Sequence, residues 1–584
     1  MQTLRNFWRL ARPFWTSRKR GPALWALILT ILCNLGLVGV AVLTNFWNLY
    51  FYNALQDLDY NAFLLGGLQF VGLEVALAAL TMGAFHFQEK LSIIWRRWET
   101  ENTLQQWLHR KRFYKLQLTS PETDNPDQRI ADDIRLFISI SLKLGLGMMT
   151  AITSLFSFAH ILWAASSIVT FTLDGKEIFI PGLLLWAALL YSLIGTGLVF
   201  WLGRKLPGLN FTQQRREADF RFSMMRLREQ SEAVALYQGE AEEHQRFSHR
   251  LNRALSNYWT LVRHKKAVLG FSSFYMRSAT VVGMFLMAPK FFAGAVPLGR
   301  LTQVGSAFGQ VQESTSYLIG VFPEIAEWKS VIDRLEGFKR RLCEVDAHST
   351  GELLHQGGSL SLKDLEVWLP DGRHLLKPLN LDLHAGERLL IRGPSGCGKS
   401  TLLRAFTGLW PHTSGSTSYD RESALVLSQR PYLPLGSLRQ VLYYPHPEKT
   451  DDSALADVLR ACQLEHLQNQ LDVHADWEQT LSVGEQQRCA FARALLSKPR
   501  VLLMDESSSA LDEASEAQLY AQLADWMPLS VIVSIGHRQT LERFHTHVLE
   551  ISREGQWKKW RTEQQSETMS TKFAPATNFE PEYS

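Results

Sequence analysis

A glycine-rich segment, GPSGCGKST at residues 393–401, carries the strongest chemical signal in the sequence. The apolar run RLLI precedes it and the helix-like run TLLRAFTGL follows, a strand–loop–helix context typical of a phosphate-binding loop. Glycines let the backbone curl so that its N–H groups surround a β-phosphate. Lys399 adds a positive charge near the β- and γ-phosphates, and the Ser400 hydroxyl is placed to bind Mg²⁺. The sequence therefore predicts that the chain binds a nucleoside triphosphate.

Two further segments place polar residues directly after apolar runs. VLLM at residues 501–504 reads as a buried parallel strand. Asp505 follows it and can hold the Mg²⁺ shell, and Glu506 can orient or deprotonate an attacking water. A second run, SVIVSIGH, ends at His537. An isolated histidine is more often structural than catalytic, but ligands bind at the carboxyl ends of parallel strands, and this favours a catalytic role for His537.

The segment TLSVGEQQR, residues 480–488, predicts a second anion-binding position. Ser482 and Glu485 have the spacing of a capping box at the start of a helix, and the run RCAFARALLS continues with helical periodicity. A helix N-terminus presents unpaired N–H groups and the positive end of a dipole, so it can hold an anion. Because the phosphate loop lies far upstream in the chain, the spacing alone leaves open which phosphate this helix would contact.

The elements that must position these residues fall into two halves of the chain. With 584 residues, the chain is too long for one core. Long apolar runs concentrate before about residue 325, and the remainder reads like a soluble domain. The net charge of +4 gives no argument for nucleic acid as a partner. The five scattered cysteines indicate reduced thiols rather than a secreted disulfide framework.

Six apolar stretches of the first half are long enough to cross a bilayer, which takes roughly 20 residues of helix. Three begin at Trp25, Phe63 and Leu144, and three begin near Ile180, Val268 and Leu301. The last two contain more Ser, Gly and charge, so a packed or cavity-lining position suits them. Basic residues cluster before the first stretch, after the second and after the fourth, which predicts that both ends of this half are cytoplasmic.

Four ionisable residues fall inside these stretches: Glu74, His160, Arg277 and Glu313. Charges at membrane depth are costly and usually face a cavity or a partner. One interpretation is a cargo pathway in which Glu74 or Glu313 opposes Arg277. The other is a structural ion pair, or a span placed a few residues wrongly. The long polar connections at about residues 86–142 and 203–267 have helical patterns and are expected to extend membrane helices into the cytosol.

With these pieces in order, the sequence resembles the ABC transporter family over essentially its whole length. GPSGCGKST matches Walker A, VLLMDE matches Walker B, SSSALD matches the D-loop, SIGHR matches the switch-histidine loop, and LSVGEQQR resembles the signature usually written LSGGQ. Gln429 falls where the family has its Q-loop glutamine. The resemblance implies ATP and Mg²⁺ as cofactors and Glu506, His537 and Gln429 as catalytic residues. It implies that Ser400, Gln429 and Asp505 bind the metal ion. It also implies that the nucleotide is contacted by Gly393, Pro394, Ser395, Gly396, Cys397, Gly398, Lys399, Ser400 and Thr401.

The same resemblance implies a homodimer of half-transporters, because one chain has one set of motifs. In this family the signature of one nucleotide domain closes over the ATP held by the other, so Ser482 and Gly484 are expected to contact the partner chain's γ-phosphate. Val483 departs from the usual glycine and adds bulk near the nucleotide, which allows slower turnover. A tyrosine that often stacks on adenine is replaced by Leu369 beside Trp368; Trp368 is the candidate substitute, and core packing is equally compatible.

The expected fold class is a polytopic α-helical membrane domain of six helices and exporter type, fused to an α/β P-loop ABC nucleotide-binding domain. We expect the membrane domain at 1–340, a linker at 341–357, the ATPase domain at 358–563 and a disordered tail at 564–584. NPDQRIADDI, EADFR and QRPYLPLGSLR resemble the branch containing peroxisomal fatty-acyl transporters and bacterial BacA/SbmA-related, YddA-like proteins.

This branch implies ATP-driven movement of an amphipathic or hydrophobic cargo, such as a peptide, a cobalamin-like compound or an acyl compound, across a bacterial inner membrane. The expected partners are a second copy of the chain, the lipid bilayer and the cargo, with no nucleic acid. The alternative is an ATP-regulated receptor or channel subunit that transports nothing itself. Intact Glu506, His537 and Gln429 argue against that alternative, since such subunits tend to have degenerate catalytic motifs.

Overall fold

The computed structural model describes residues 2–119, 125–168, 170–173, 176–347, 352–354, 359–448 and 452–562. The described residues form two compact units, one within 1–106 and 124–340 and the other within 107–123 and 341–584. The predicted tail at 564–584 lies outside the described residues.

The first unit is almost entirely helical. Its helices, with α4 of the second unit included in chain order, are α1 (Gln2–Trp15), α2 (Arg20–Gln56), α3 (Tyr60–Leu108), α4 (Arg112–Thr119), α5 (Pro126–Gln128), α6 (Ile134–Ala165), α7 (Leu183–Gly203), α8 (Leu206–Glu229), α9 (Ser231–Leu236), α10 (Glu240–Phe292), α11 (Leu298–Gly320) and α12 (Phe322–Ala347). A short hairpin pairs β1 (Thr170–Leu173) with β2 (Lys176–Phe179).

Four helical stretches in the described residues are long and apolar enough to cross a membrane: Arg20–Gln56, Tyr60–Leu118, Pro126–Ala165 and Leu183–Glu229. Between 6% and 28% of their most apolar windows is buried, so most of that apolar surface faces outward, as lipid contact requires. The fifth and sixth expected spans correspond to parts of α10 and α11, which fall short of the same hydropathy criterion among the described residues. The count of six spans therefore stays a prediction.

Helix α11 lies in the interior of its unit. Val304, Phe308 and Val311 are fully buried in a cluster with residues of α6, α7 and α10. Side chains of α2 cap the start of α11, because the N–H of Leu298 donates to Gln56 Oε1 at 2.6 Å and that of Gly299 donates to Asn53 Oδ1 at 2.9 Å. The packed position expected for this segment is confirmed. The predicted helical extensions are confirmed in part, since α3 and α10 are uninterrupted through residues 86–108 and 240–267, whereas α8 begins at Leu206 after a turn at residues 204–205.

The second unit contains two sheets and the remaining helices. Its strands are β3 (Glu352–Leu354), β4 (Leu360–Trp368), β5 (His374–Leu383), β6 (Arg388–Arg392), β7 (Thr413–Ser418), β8 (Ala424–Leu427), β9 (Gly436–Ser437), β10 (His474–Ala475), β11 (Val501–Asp505), β12 (Val531–Ile535), β13 (His547–Ile551) and β14 (Trp557–Arg561). Its helices after α12 are α13 (Lys399–Phe406), α14 (Leu438–Tyr443), α15 (Asp452–Ala461), α16 (Trp477–Thr480), α17 (Val483–Ser497) and α18 (Glu513–Trp526).

A six-stranded sheet in the order β14-β13-β6-β12-β11-β8 forms the centre of this unit. All its neighbouring pairs are parallel except β13 with β14. Alternation along β6 divides the core, because Leu389 and Ile391 pack towards the four-stranded sheet β3-β7-β4-β5, whereas Leu390 packs towards α14, α15, α17 and α18. The predicted buried strands before the phosphate loop, Asp505 and His537 are thus confirmed as β6, β11 and β12. Strand β3 arises within the predicted linker and pairs with β7.

Candidate functional site

The carboxyl edge of the parallel sheet brings the sequence-predicted residues together. Strands β13, β6, β12, β11 and β8 run parallel, so their carboxyl ends lie on one edge. The register aligns Ile391 with Ile535, Ile535 with Asp505, and Met504 with Leu427. The phosphate loop, the acidic pair, His537 and Gln429 each follow one of these ends and therefore share one site.

The phosphate loop, residues 393–401, depends on glycine at positions 393 and 398. Gly393 and Gly398 have φ angles of 154° and 96°, a region that L side chains rarely adopt. A Cβ on Gly393 would lie 2.4 Å from the Ile551 carbonyl oxygen, and one on Gly398 would lie 2.5 Å from Leu375. Lys399 starts α13, and its Nζ donates at 3.0 Å to each of the carbonyl oxygens of Gly393 and Pro394. Ser395 and Gly396 are exposed, Cys397 is buried and Thr401 is half-buried.

Ser400 and Asp505 form a pair of oxygen ligands at the base of this loop. The Ser400 hydroxyl donates to Asp505 Oδ1 at 2.8 Å. Burial raises the pKa of Asp505, and the neighbouring Glu506 carboxylate raises it further, whereas the Ser400 hydrogen bond acts in the opposite direction. A bound cation would favour the ionised form. Hydroxyl and carboxylate oxygens are ligands that Mg²⁺ prefers, so the residues present fit that ion.

Glu506 is held between Gln429 and His537. Gln429 Nε2 donates to Glu506 Oε2 at 3.1 Å, and His537 Nε2 lies 2.9 Å from Glu506 Oε1. Since an ionised carboxylate only accepts, this contact requires a proton on His537 Nε2. Glu506 has a φ of 46°, in the left-handed region. The chain therefore turns sharply after Asp505, and the carboxylates of Asp505 and Glu506 have different hydrogen-bond partners. All three predicted catalytic side chains are in hydrogen-bond contact.

The predicted capping box at the start of α17 is confirmed. Glu485 N–H donates to Ser482 Oγ at 3.4 Å, and Ser482 N–H donates to Glu485 Oε2 at 3.0 Å. The hydrogen bonds from Ser482, with one from His466, hold the pKa of Glu485 below its usual range. Ser482 is exposed, and Val483 beside it is 55% exposed. A Cβ on Gly484 would lie 3.6 Å from the Ala510 carbonyl oxygen, so the signature packs beside the D-loop of its own chain.

Trp368 lies at the end of β4 and is half-buried. Its Nε1–H donates to His374 Nε2 at 3.0 Å, and the two ring centroids are 5.3 Å apart. The residue after His374 is Leu375, which contacts the position of Gly398 in the phosphate loop. A half-buried aromatic ring beside these residues is compatible with adenine stacking. The hydrogen bond from Trp410 Nε1–H to the Trp368 carbonyl is equally compatible with a packing role.

Two residues that the sequence did not predict, Gln487 and Arg538, connect the loops of this site. Gln487 is 1% exposed and bonds both the Q-loop and the D-loop. Arg538 NH2 donates to the Leu511 carbonyl oxygen at 2.9 Å, and its NH1 donates to Glu516 at 3.1 Å. Each of the two residues lies within a predicted motif, and this was the available sequence signal. The motif alone did not indicate that a long polar side chain would be buried there.

The four ionisable residues of the predicted spans are not paired. Glu74, His160, Arg277 and Glu313 are all exposed, and no ion pair among the described residues includes them. No ion pair among the described residues joins Glu74 or Glu313 to Arg277, so their opposition across a pathway stays a prediction.

A buried ion cluster occurs instead at the start of α6. Asp133 accepts hydrogen bonds from Arg334 Nε at 2.9 Å and Arg334 NH2 at 2.6 Å, and from Arg129 NH1 at 2.8 Å. Arg129 and Asp133 belong to the NPDQRIADDI segment, and Arg334 lies on α12. On the same helix α12, Lys339 bonds the buried Glu99 at 2.6 Å.

Comparison with known proteins decides the family. Residues 12–292 match the family model described as ABC transporter transmembrane region 2, and residues 376–509 match the model described as ABC transporter. An ABC transporter ATP-binding protein of Haemophilus influenzae is 31% identical over 94% of this chain and 92% of its own length. The chain belongs to the ABC transporter family.

Other relatives of this ABC transporter support the same assignment. The inner membrane ABC transporter ATP-binding protein YddA of Escherichia coli is 30% identical over 93% of this chain and 96% of its own length. A solved bacterial Atm1-family ABC exporter with ATP bound shares the fold, with a TM-score of 0.69 at 17% identity over 91% of this chain and 93% of that one. The ABC transporter thus has a helical transmembrane region fused to an ABC ATPase domain with an α/β sheet, and it performs ATP-driven membrane transport.

Proposed function

We propose that this ABC transporter functions as a homodimer with two identical composite ATP sites. Each chain has one phosphate loop and one signature helix, and the observation that carries the proposal is the position of Ser482. Its side chain is exposed at the N-terminus of α17, and its hydrogen bonds within the described chain are with Glu485 of the same helix. An exposed hydroxyl at a helix N-terminus is suited to a phosphate arriving from outside its own unit.

In this proposal the phosphate loop, residues 393–401, binds ATP by its backbone N–H groups and Lys399, and Trp368 stacks on adenine. Ser482 and Gly484 of the partner chain contact the γ-phosphate. Ser400, Asp505 and Gln429 hold Mg²⁺, which when bound neutralises charge on the phosphate oxygens. The Lys399 ammonium then exchanges the carbonyls of Gly393 and Pro394 for phosphate oxygens, a stronger charge-assisted contact.

Glu506 acts as the general base. One of its oxygens accepts the proton of the attacking water while the new oxygen–phosphorus bond forms and the bond to the ADP leaving oxygen breaks. Gln429 and His537 hold the two carboxylate oxygens, so they fix the position from which Glu506 takes the proton of the attacking water. Because His537 and Gln429 are exposed in the single chain, closure by the partner's signature supplies the exclusion of water that this chemistry needs.

The cargo we propose is amphipathic or hydrophobic, such as a peptide, a cobalamin-like compound or an acyl compound. It crosses a bacterial inner membrane, with the N-terminus and the ATPase domain on the cytoplasmic side. Four exposed ionisable residues on membrane helices (Glu74, His160, Arg277 and Glu313) support a pathway with charged positions. A purely regulatory subunit would have no need of the Gln429–Glu506–His537 contacts.

Trans complementation tests the composite site. Lys399→Ala disables the phosphate loop and Ser482→Arg disables the signature, so either chain alone should trap no labelled nucleotide with orthovanadate. A mixed dimer of the two variants contains one site with both parts intact. We expect trapping to return in the mixture, to at most roughly a quarter of the wild-type amount, since half of randomly paired dimers are mixed and each has one intact site of two. Absence of trapping in an isolated mixed dimer would contradict sites shared between chains.

Transport is tested in inside-out vesicles with labelled peptide, cobalamin and acyl-CoA. Accumulation inside the vesicles means movement away from the cytosol, and ATP-driven loss of preloaded cargo means uptake. Glu506→Gln should lower ATP hydrolysis about 100-fold or more and trap a closed dimer with ATP, since general-base catalysis contributes about that much. Hydrolysis at the wild-type rate in this variant would contradict the role of Glu506. Hydrolysis without movement of any cargo would favour the regulatory subunit.

A further inference from the structure

Gln487 lies at the point where three parts of the nucleotide site meet. It belongs to α17, five residues after Ser482, and is 1% exposed. Its Nε2 donates to the Gln429 carbonyl oxygen at 3.0 Å and to Ser509 Oγ at 3.3 Å, and its Oε1 accepts from the Ala510 N–H at 3.0 Å. One buried amide therefore joins the signature helix to the Q-loop and to the D-loop.

The Q-loop contact continues directly to the general base. The backbone carbonyl of Gln429 accepts a hydrogen bond from Gln487, and the Gln429 side chain donates one to Glu506 Oε2 at 3.1 Å. Two consecutive hydrogen bonds thus separate the signature helix from Glu506. Because Gln429 takes part in both bonds, a displacement of the helix that moves its backbone also changes the position of its side chain relative to Glu506.

The D-loop is also fixed on its opposite side. Ser508 Oγ donates to the buried Glu516 at 2.6 Å, and Arg538, next to His537 in sequence, bonds both Glu516 and the Leu511 carbonyl. The segment 507–511 is therefore held by Gln487 from the signature side and by Arg538 from the switch-histidine side. The D-loop is thus hydrogen-bonded on both sides, and Gln487 is its direct contact with α17.

We propose that Gln487 is a positioning residue that makes the signature helix, Gln429 and the D-loop move as one body. Contact of Ser482 with a nucleotide held by the partner chain then shifts Gln429 relative to Glu506, so that binding at one composite site sets the geometry of the general base in the other. This inference rests on the composite site proposed above, and it assigns the coupling to a side chain that does not touch ATP.

The adjacent Gln486 provides a matched control. It lies on the same helix, is partly buried, and its Nε2 donates to the carbonyls of Glu478 and Leu481 at 2.7 and 2.9 Å. Those bonds secure the turn before α17 and reach neither the Q-loop nor the D-loop. Replacement of either glutamine by leucine removes an amide of similar size, but only the change at Gln487 disconnects the catalytic loops.

The test uses full-length protein in proteoliposomes, with thermal stability, ATP affinity, kcat and KM measured for Gln487→Leu and Gln486→Leu. We expect Gln487→Leu to lower kcat about tenfold or more while the ATP dissociation constant changes less than about twofold, because the phosphate loop is untouched. Gln486→Leu should lose comparable thermal stability but keep kcat within about twofold. Equal losses of kcat in the two variants, or a wild-type kcat in Gln487→Leu, would overturn the proposal.

Gln487→Glu separates the two loop contacts. Its carboxylate still accepts from the Ala510 N–H but has no proton to donate to the Gln429 carbonyl. A loss as large as that of Gln487→Leu supports transmission through Gln429. A kcat above about half of the wild-type value would overturn that part of the proposal. Failure of the mixed-dimer experiment, in contrast, would affect the composite site and leave these measurements of kcat unchanged.

Discussion

The polar motif residues of the nucleotide site are hydrogen-bonded to one another, whereas the ionisable residues of the predicted membrane spans are not paired among the described residues. In the nucleotide site the motif residues contact one another across loops, as Gln429, Glu506 and His537 do. In the membrane unit the ionisable residues that stand out in the sequence, such as Glu74 and Arg277, are exposed and unpaired among the described residues. The residues that do pair there, Asp133 and Arg334, lie outside the predicted spans, and neither was a candidate site residue.

This difference shows what each region requires of the single chain. A parallel sheet collects its carboxyl-end loops at one edge, so most of the catalytic geometry is built before any partner arrives. An exposed charge on a membrane helix has no such scaffold, and a partner of some kind, a second chain, water or cargo, must compensate it. The comparison therefore predicts large stability effects for the buried ion cluster and small ones for the exposed charges.

The largest effect is expected at Asp133. Asp133→Ala leaves Arg129 and Arg334 without the buried carboxylate that both contact. Loss of one partner from a buried ion cluster is strongly destabilising, here by about 3 kcal/mol since Arg334 still reaches solvent. Thermal unfolding of the purified protein in detergent, followed by tryptophan fluorescence, measures the change.

Asp132 is the control for Asp133. Its contact with Arg135 is 3.2 Å long, and both side chains are 53% exposed, so Asp132→Ala should cost less than about 0.5 kcal/mol. Equal unfolding temperatures for the two variants would show that the buried cluster contributes no more than a surface pair, and the contrast between paired and unpaired charges would lose its basis in stability.

Trp368 tests whether the nucleotide site extends beyond its motifs. Trp368→Ala should raise KM for ATP about tenfold, since stacking of a base on an aromatic ring contributes about 1–3 kcal/mol, and kcat should stay close to the wild-type value. Trp368→Phe keeps a ring and should retain most of the affinity. If the alanine variant loses thermal stability with an unchanged KM, Trp368 belongs to the packing around Trp410 and His374 rather than to the nucleotide site.

The sequence was sufficient to predict those parts of the site whose residues follow a local spacing rule. The phosphate loop, the strand before Asp505 and the capping box of Ser482 each have their own spacing rule, and each is present as expected. Gln487 and Asp133 could not be predicted in the same way, because their importance comes from partners 58 and 201 residues away in sequence, Gln429 and Arg334. Mean hydropathy also could not decide spans five and six, since the corresponding helices α10 and α11 fall short of the hydropathy that the other four spans reach.

The smallest effect on stability, and the sharpest test of the contrast, is expected from the unpaired membrane charges. Glu74→Gln, Arg277→Gln and Glu313→Gln each remove a charge that has no ion partner among the described residues, so unfolding temperatures should shift by the equivalent of less than about 0.5 kcal/mol. If these residues line the cargo pathway, the same variants change stimulation of ATP hydrolysis by cargo while basal hydrolysis stays constant. A loss of several kcal/mol in any one of them would instead indicate a buried ion pair formed with the second chain, and a charge reversal at the partner residue should then restore stability.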